Sequence, residues 1–174
     1  GDIIIDNGGS GTSYTGTWTV SGGSQPYGTD SLWSRNGDTY TWQFSSQPAG
    51  TYEVLLWWTA YSSRSSNAAV DINYWDGTTR VYVNQQQSGE NWNSVGTFYF
   101  GGSGSVMVTA SNGSDVSTCA DAVWFRLVSA NSPPSAYIDS IMPTPADSPQ
   151  AITFTPPGTD GDGDRSGALS RPVE

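Results

Sequence analysis

The chemistry available to this chain is carried by aromatic rings and by a few polar residues set beside them. If the organising strand near residue 57 is phased correctly, Trp57, Trp75 and Tyr82 fall on the outward face of three successive strands, with Arg80 and Asn73 beside them. Flat rings stack on the apolar C–H faces of sugars, and neighbouring Arg, Asn and Asp groups fix hydroxyls by hydrogen bonds. The competing reading is that these rings lie under loops or fill a second core, because aromatic side chains are buried on average. Arg64 stands alone in the run Ser62-Ser63-Arg64-Ser65-Ser66-Asn67. It either makes a bidentate contact to ligand hydroxyls or a uronic carboxylate, or anchors its loop through Asp71 or Asp121.

Gln85-Gln86-Gln87-Ser88-Gly89-Glu90-Asn91-Trp92 forms an amide-rich loop that ends in an aromatic. Trp92 suits sugar recognition at the edge of a fold, or else plugs the core while the glutamines satisfy backbone groups. Asp6 and Asp121, with Asp2, supply hard oxygen ligands of the kind calcium takes, so a structural Ca2+ is one expectation and plain surface charge the other. Asp160-Gly161-Asp162-Gly163-Asp164 has calcium-loop spacing but lacks the distal glutamate, which makes a turn the better reading.

Composition limits what else the chain can do. Its formal net charge is −10, and it contains no histidine and no lysine, since all 6 basic residues are arginine. It therefore lacks the cations that neutralise phosphates, and nucleic acid or an anionic membrane is not an expected partner. Without histidine the commonest general base and the commonest metal ligand are missing. Glu53, Glu90 and Glu174 are the three glutamates, and no two belong to one motif. Catalysis is not expected. The single cysteine, Cys119, can form no internal disulfide and reads as a buried thiol.

These residues need elements to position them. Glycine, tryptophan and tyrosine number 21, 8 and 9, and no helical periodicity is visible, so the chain reads as all-β. The organising strand runs from Thr51 to Thr59, with Tyr52, Val54, Leu56 and Trp58 toward the core and Glu53, Leu55 and Trp57 away from it. Further strands are expected at 3–5, 15–20, 32–34, 39–44, 68–75, 79–84, 95–100, 105–109 and 122–128, with Asp76-Gly77 as the strongest hairpin turn. This spacing predicts a two-sheet sandwich, with a closed barrel as the alternative. Residues 131–135 are Pro-rich and read as a linker. Residues 136–174 hold two short strands at most and read as an incomplete second module, partly disordered. No apolar run is long enough to cross a membrane, and the start at Gly1-Asp2 suggests a domain cut from a larger precursor.

Several stretches in one order resemble the golvesin-type domains found beside xanthan lyases and other bacterial polysaccharide lyases. They include Ile5-Asp6-Asn7-Gly8, Gly16-Thr17-Trp18, Gly50-Thr51-Tyr52-Glu53-Val54, Trp57-Trp58 and Ser63-Arg64-Ser65. They continue through Val83-Asn84-Gln85-Gln86-Gln87, Trp92, Gly96-Thr97-Phe98-Tyr99-Phe100 and Ala120-Asp121-Ala122-Val123. The resemblance implies a jelly-roll-like sandwich over residues 1–130, without catalytic residues and similar in layout to carbohydrate-binding modules. Pro134-Ser135-Ala136-Tyr137-Ile138 and Thr159-Asp160-Gly161-Asp162-Gly163 resemble the opening of a polycystic-kidney-disease-type (PKD) domain. The expected function is a non-catalytic polysaccharide-binding module, monomeric within a secreted or cell-surface bacterial protein. The alternatives are a structural or adhesive spacer and, third, a hydrolase.

Overall fold

The structure is a computed structural model, which describes residues 1–113 and 116–131. These residues lie in one compact unit, Gly1–Pro133. The expected linker beyond Asn131, the segment 136–174 and its PKD-like motifs fall outside the described residues.

Among the described residues every regular element is a strand, as the Gly-rich, ring-rich composition requires. In chain order they are β1 (Ile3–Asp6), β2 (Thr12–Tyr14), β3 (Thr19–Val20), β4 (Leu32–Ser34), β5 (Thr39–Phe44) and β6 (Gly50–Trp57). Then follow β7 (Ala68–Tyr74), β8 (Gly77–Val83), β9 (Asn93–Phe100), β10 (Gly104–Thr109), β11 (Thr118–Ala120) and β12 (Ala122–Ala130). A four-stranded sheet of order β1-β12-β6-β9 faces a five-stranded sheet of order β2-β5-β10-β7-β8. A smaller sheet, β11-β4-β3, completes the unit. All pairings between these strands are antiparallel, and the isolated bridge Arg64–Ser117 is parallel.

Period-two alternation builds the core. Tyr40, Trp42 and Phe44 of β5 point in with Val70 and Ile72 of β7 and Val106 and Val108 of β10. They meet Tyr52, Val54 and Leu56 of β6, Val123 and Phe125 of β12, and Phe100 of β9. Phe44 bridges the sheets, with its ring 4.8 Å from Phe125 and 5.4 Å from Phe100. The expected phase of the organising strand is therefore the observed one, although the strand ends at Trp57 and Leu55 is buried as well.

Three expectations change. The strand expected over 15–20 shrinks to Thr19–Val20. Gly16 sits at φ +75, and any Cβ there would meet the Asp38 carboxylate at 2.0 Å, so the chain turns where a strand was expected. Two strands, β2 and β11, escaped the sequence reading because their short segments, Thr-Ser-Tyr and Thr-Cys-Ala, carry no apolar alternation. Finally, the chain changes sheets between β6 and β7. Trp57 therefore does not share a face with Tyr82, Arg80 and Asn73, because strands consecutive in sequence are not neighbours here, and Trp75 lies past the end of β7 against Tyr99.

Candidate functional site

The expected binding residues separate into three places. The first is the outer face of the four-stranded sheet. Leu55 lies directly opposite Trp124 across the β6–β12 ladder, so both share the face that carries Trp57. Trp92 enters just before β9, and Tyr27 arrives from the loop between β3 and β4. Their rings interlock: Trp57–Trp92 at 5.4 Å, Tyr27–Trp92 at 5.2 Å, Tyr27–Trp57 at 5.9 Å and Trp92–Trp124 at 5.5 Å. Trp57 Nε1 also donates to Gln25 O at 3.1 Å. These rings are packed against one another at steep angles, which closes the face and holds the 21–30 loop down.

The second place is the outer face of the five-stranded sheet. Tyr82, 61% exposed, stands on it, whereas Trp75, 65% exposed, follows β7 in the hairpin turn, with its N–H on Tyr99 O at 3.0 Å and its ring 6.1 Å from the Tyr99 ring of β9. Beside Tyr82, Arg80 clamps Asp71 through two bonds, Nε to Oδ1 at 2.8 Å and Nη2 to Oδ2 at 2.7 Å, which holds its guanidinium in the charged form. Asp71, one of the two expected partners of Arg64, is thus committed elsewhere. Asn73 accepts from Thr78 Oγ1 at 2.8 Å, and with Thr41, Ser105 and Met107 these residues line a shallow trough of about 230 Å³.

The third place is a pocket that the sequence reading touched only at Arg64. Asn36 and Gly37 both have positive φ, 66 and 78, and make the tight turn after β4. Trp33 and Arg35, two residues apart, come to lie on one side of that segment, with the guanidinium 4.7 Å over the indole. Arg64 Cζ lies 5.6 Å from the Tyr61 ring. Both Arg–aromatic pairs line one pocket of about 160 Å³, together with Ser21, Gly22, Ser63 and Ser117. A second groove of about 420 Å³ shares Trp33 and Arg35 and continues past Thr17, Thr19, Asn36 and Asp38. Asp38 is turned inward, accepting from Ser34 Oγ at 2.6 Å and Thr17 N at 3.0 Å, and these bonds hold its carboxyl below the usual range.

Arg64 is fixed from every side. It is 3% exposed and donates from Nε to Thr59 O at 3.0 Å, from Nη1 to Ser117 Oγ at 3.1 Å, and from Nη2 to Ser21 Oγ at 2.9 Å and Thr59 Oγ1 at 3.0 Å. The segment 63–65 is zipped to Ser117 by Ser117 N to Ser63 O at 3.0 Å and Ser65 N to Ser117 O at 2.8 Å. The amide loop supports the same corner. Gln85 is buried and pairs with the Cys119 backbone in both directions, at 3.0 and 2.7 Å, while Gln86 Nε2 donates to Ser62 O and Arg64 O. Burial pushes the Cys119 thiol up, as expected of an inert cysteine.

Sequence reasoning passed over Trp33, Arg35 and Tyr61. Their signal was the Asn36-Gly37 dipeptide, which places a Trp-x-Arg segment beside a turn.

The acidic residues also regroup. Asp2 is at the far end of β1, where it accepts from Leu127 N at 3.0 Å, so it does not join Asp6 and Asp121. Asp30 takes its place: it accepts from Asn7 Nδ2 at 2.7 Å, and its charge helps raise the pKa of Asp6 after burial. Asp121 is pushed up to about 8, mainly by burial, and both of its oxygens accept from Tyr27 N at 3.2 Å. Among the described residues no group of three carboxylates or thiols is arranged to hold a metal ion. Asp6 and Asp121 alone do not make a calcium site, and most of the six to eight oxygens that calcium takes would come from elsewhere.

Sheet order and core together define a two-sheet β-sandwich, a fold that solved carbohydrate-binding modules share. One such module, a family 35 carbohydrate binding module from an environmental isolate, superposes with a TM-score of 0.51 at 18% identity, over 70% of this chain and 90% of that one. The chain belongs to the family described as Golvesin C-terminal domain, whose profile matches residues 3–127. It is 38% identical over 136 residues to xanthan lyase of Bacillus sp. (strain GL1), spanning 72% of this chain but 15% of that protein. The structure of Paenibacillus xanthan lyase superposes with a TM-score of 0.67 at 32% identity, covering 73% of this chain and 13% of that one.

Proposed function

We propose that this chain is a non-catalytic carbohydrate-binding module that works as one part of a larger, secreted bacterial protein acting on polysaccharide. The observation that carries the reading is the groove over Trp33. It joins an indole and the half-exposed Tyr61 ring to hydroxyl, amide and guanidinium groups, which is the chemistry a sugar ring and its hydroxyls require. Its combined size suits one or a few sugar units. Family membership supports the reading, because a relative named xanthan lyase carries a matching segment amounting to a small fraction of its length. Among the described residues Asp6, Asp30 and Asp121 are a group of carboxylates whose charges act on one another, and Asp121 is buried with both oxygens on Tyr27 N rather than facing an open cleft. A spacer role is the alternative, and binding decides between them.

The test is affinity electrophoresis of the chain on a panel of plant, algal and bacterial polysaccharides, with Trp33→Ala and Tyr61→Ala beside it. At least one polysaccharide should retard the chain. Each variant should lose about 1–3 kcal/mol of affinity, the range for removing one ring platform from a flat ligand. Tyr61 is 50% exposed, so Tyr61→Ala should melt close to the parent. A panel without retardation leaves the spacer. Tyr82→Ala tests the outer face of the five-stranded sheet, where Tyr82, Arg80 and Asn73 form a second proposed surface with Trp75 beyond its end.

A further inference from the structure

We infer that the pocket between Trp33 and Tyr61 takes a sugar bearing a carboxylate, whose acid group meets Arg35 and Arg64 while its ring lies beside the two aromatics. This rests on the carbohydrate-binding reading above and names the class of ligand.

The first argument is charge. Four arginines lie among the described residues. Arg80 and Arg126 are ion-paired, to Asp71 and Glu53. Among the described residues Arg35 and Arg64 have no such pair, and they are the two that line one pocket. Among the described residues no carboxylate belongs to that lining, in a chain whose net charge is −10. A positive pocket in so acidic a molecule is a local device rather than part of a general attraction for anions.

The second argument is burial. Arg64 is almost fully buried, and its four hydrogen bonds all go to neutral oxygens. A guanidinium carries five N–H donors, so one N–H of Nη1 is left over. A buried charge held only by neutral acceptors is costly until an anion completes it. The third argument is independent: Arg35 Nε is buried and has no hydrogen-bond partner. Buried donors are nearly always satisfied, so an orphan beside a pocket marks a place for an acceptor. A neutral sugar supplies single hydroxyl acceptors. A carboxylate supplies two coplanar oxygens that fit the guanidinium fork, and its charge answers both cations.

The experiment compares one uronate-rich polysaccharide with its carboxyl-reduced form, and glucuronate with glucose, using the full chain and tryptophan fluorescence. The acidic partner should bind about tenfold or more tightly than its reduced twin, as expected for charge-assisted hydrogen bonds. Raising salt from about 0.05 to 0.5 M should weaken only the acidic complex. Arg35→Gln should erase the preference while keeping the parent's melt. Arg64→Gln can unfold the corner, which is why Arg35 carries the decision. Equal binding of the acidic and reduced forms, or an Arg35→Gln variant that keeps the preference, overturns the inference while the carbohydrate-binding reading stands. Equal binding of a sulfated glucan overturns the carboxylate assignment. No binding of any sugar ends both.

Discussion

Trp57 and Arg64 both show how a residue type that suggests recognition can be held by its neighbours instead. The Trp57 indole is half-buried, tied to Gln25 O, and in edge contact with Tyr27 and Trp92. Replacing Trp57 with alanine should therefore cost about 1–3 kcal/mol of folding stability, less than a fully buried tryptophan because part of the ring already faces water. Affinity for a retarding polysaccharide should stay within about twofold, since the Trp33 pocket is lined by other residues. A thermal melt and a binding isotherm on one variant check both halves. If Trp57→Ala loses affinity and keeps its melt, the outer face of the four-stranded sheet is the binding surface after all.

At the scale of elements, the 21–30 loop is the piece that several side chains hold in place. Asp121, just before β12, grips Tyr27 N with both oxygens and so aims the Tyr27 ring at Trp57 and Trp92. Burial raises the Asp121 carboxyl to about 8, so the folded chain binds a proton that the unfolded chain releases near pH 4. Stability from this group is present in acid and is lost as pH rises through about 8. With no histidine in the chain, the other side chain whose ordinary pKa falls near that window is Cys119, at its upper edge. The melting temperature should fall between about pH 5 and pH 9, and Asp121→Asn should flatten the slope. Calcium on Asp6 and Asp121 is the competing proposal, and it predicts the opposite sign. Added calcium should lift the melt most above pH 8, where Asp121 is ionised, and a chelator should reverse it. A melt indifferent to calcium and chelator at every pH leaves the proton as the group that neutralises Asp121.

At the scale of the molecule, the described strands close their own core, with rings from both sheets meeting at Phe44. A chain cut after Ala130, the last residue of β12, should therefore keep the cooperative melt of the full chain within a few degrees. A non-cooperative melt would move the domain boundary past Ala130.

What the sequence by itself determined is what local repetition encodes. Alternation over Tyr40, Trp42 and Phe44, and over Tyr52, Val54 and Leu56, states which side of each strand is apolar, and a one-residue slip would have put every one of them in water. The absent histidine and lysine narrowed the chemistry without any fold, and the ordered motifs named the family. Which strands become neighbours was not written in any one segment. The four-stranded sheet takes β1, β12, β6 and β9, and their pairing is decided by how two apolar faces close over a shared core. For that reason Trp57 parted from Trp75 and Tyr82, and Asp30 replaced Asp2 beside Asp6. The Trp33 pocket is a tertiary object in the same sense. Arg35 and Arg64 are remote in sequence, and only the short β11-β4-β3 sheet and the clasp at Ser117 bring their charges to one opening. No periodicity records such a meeting, because it depends on which faces pack and not on which residues repeat.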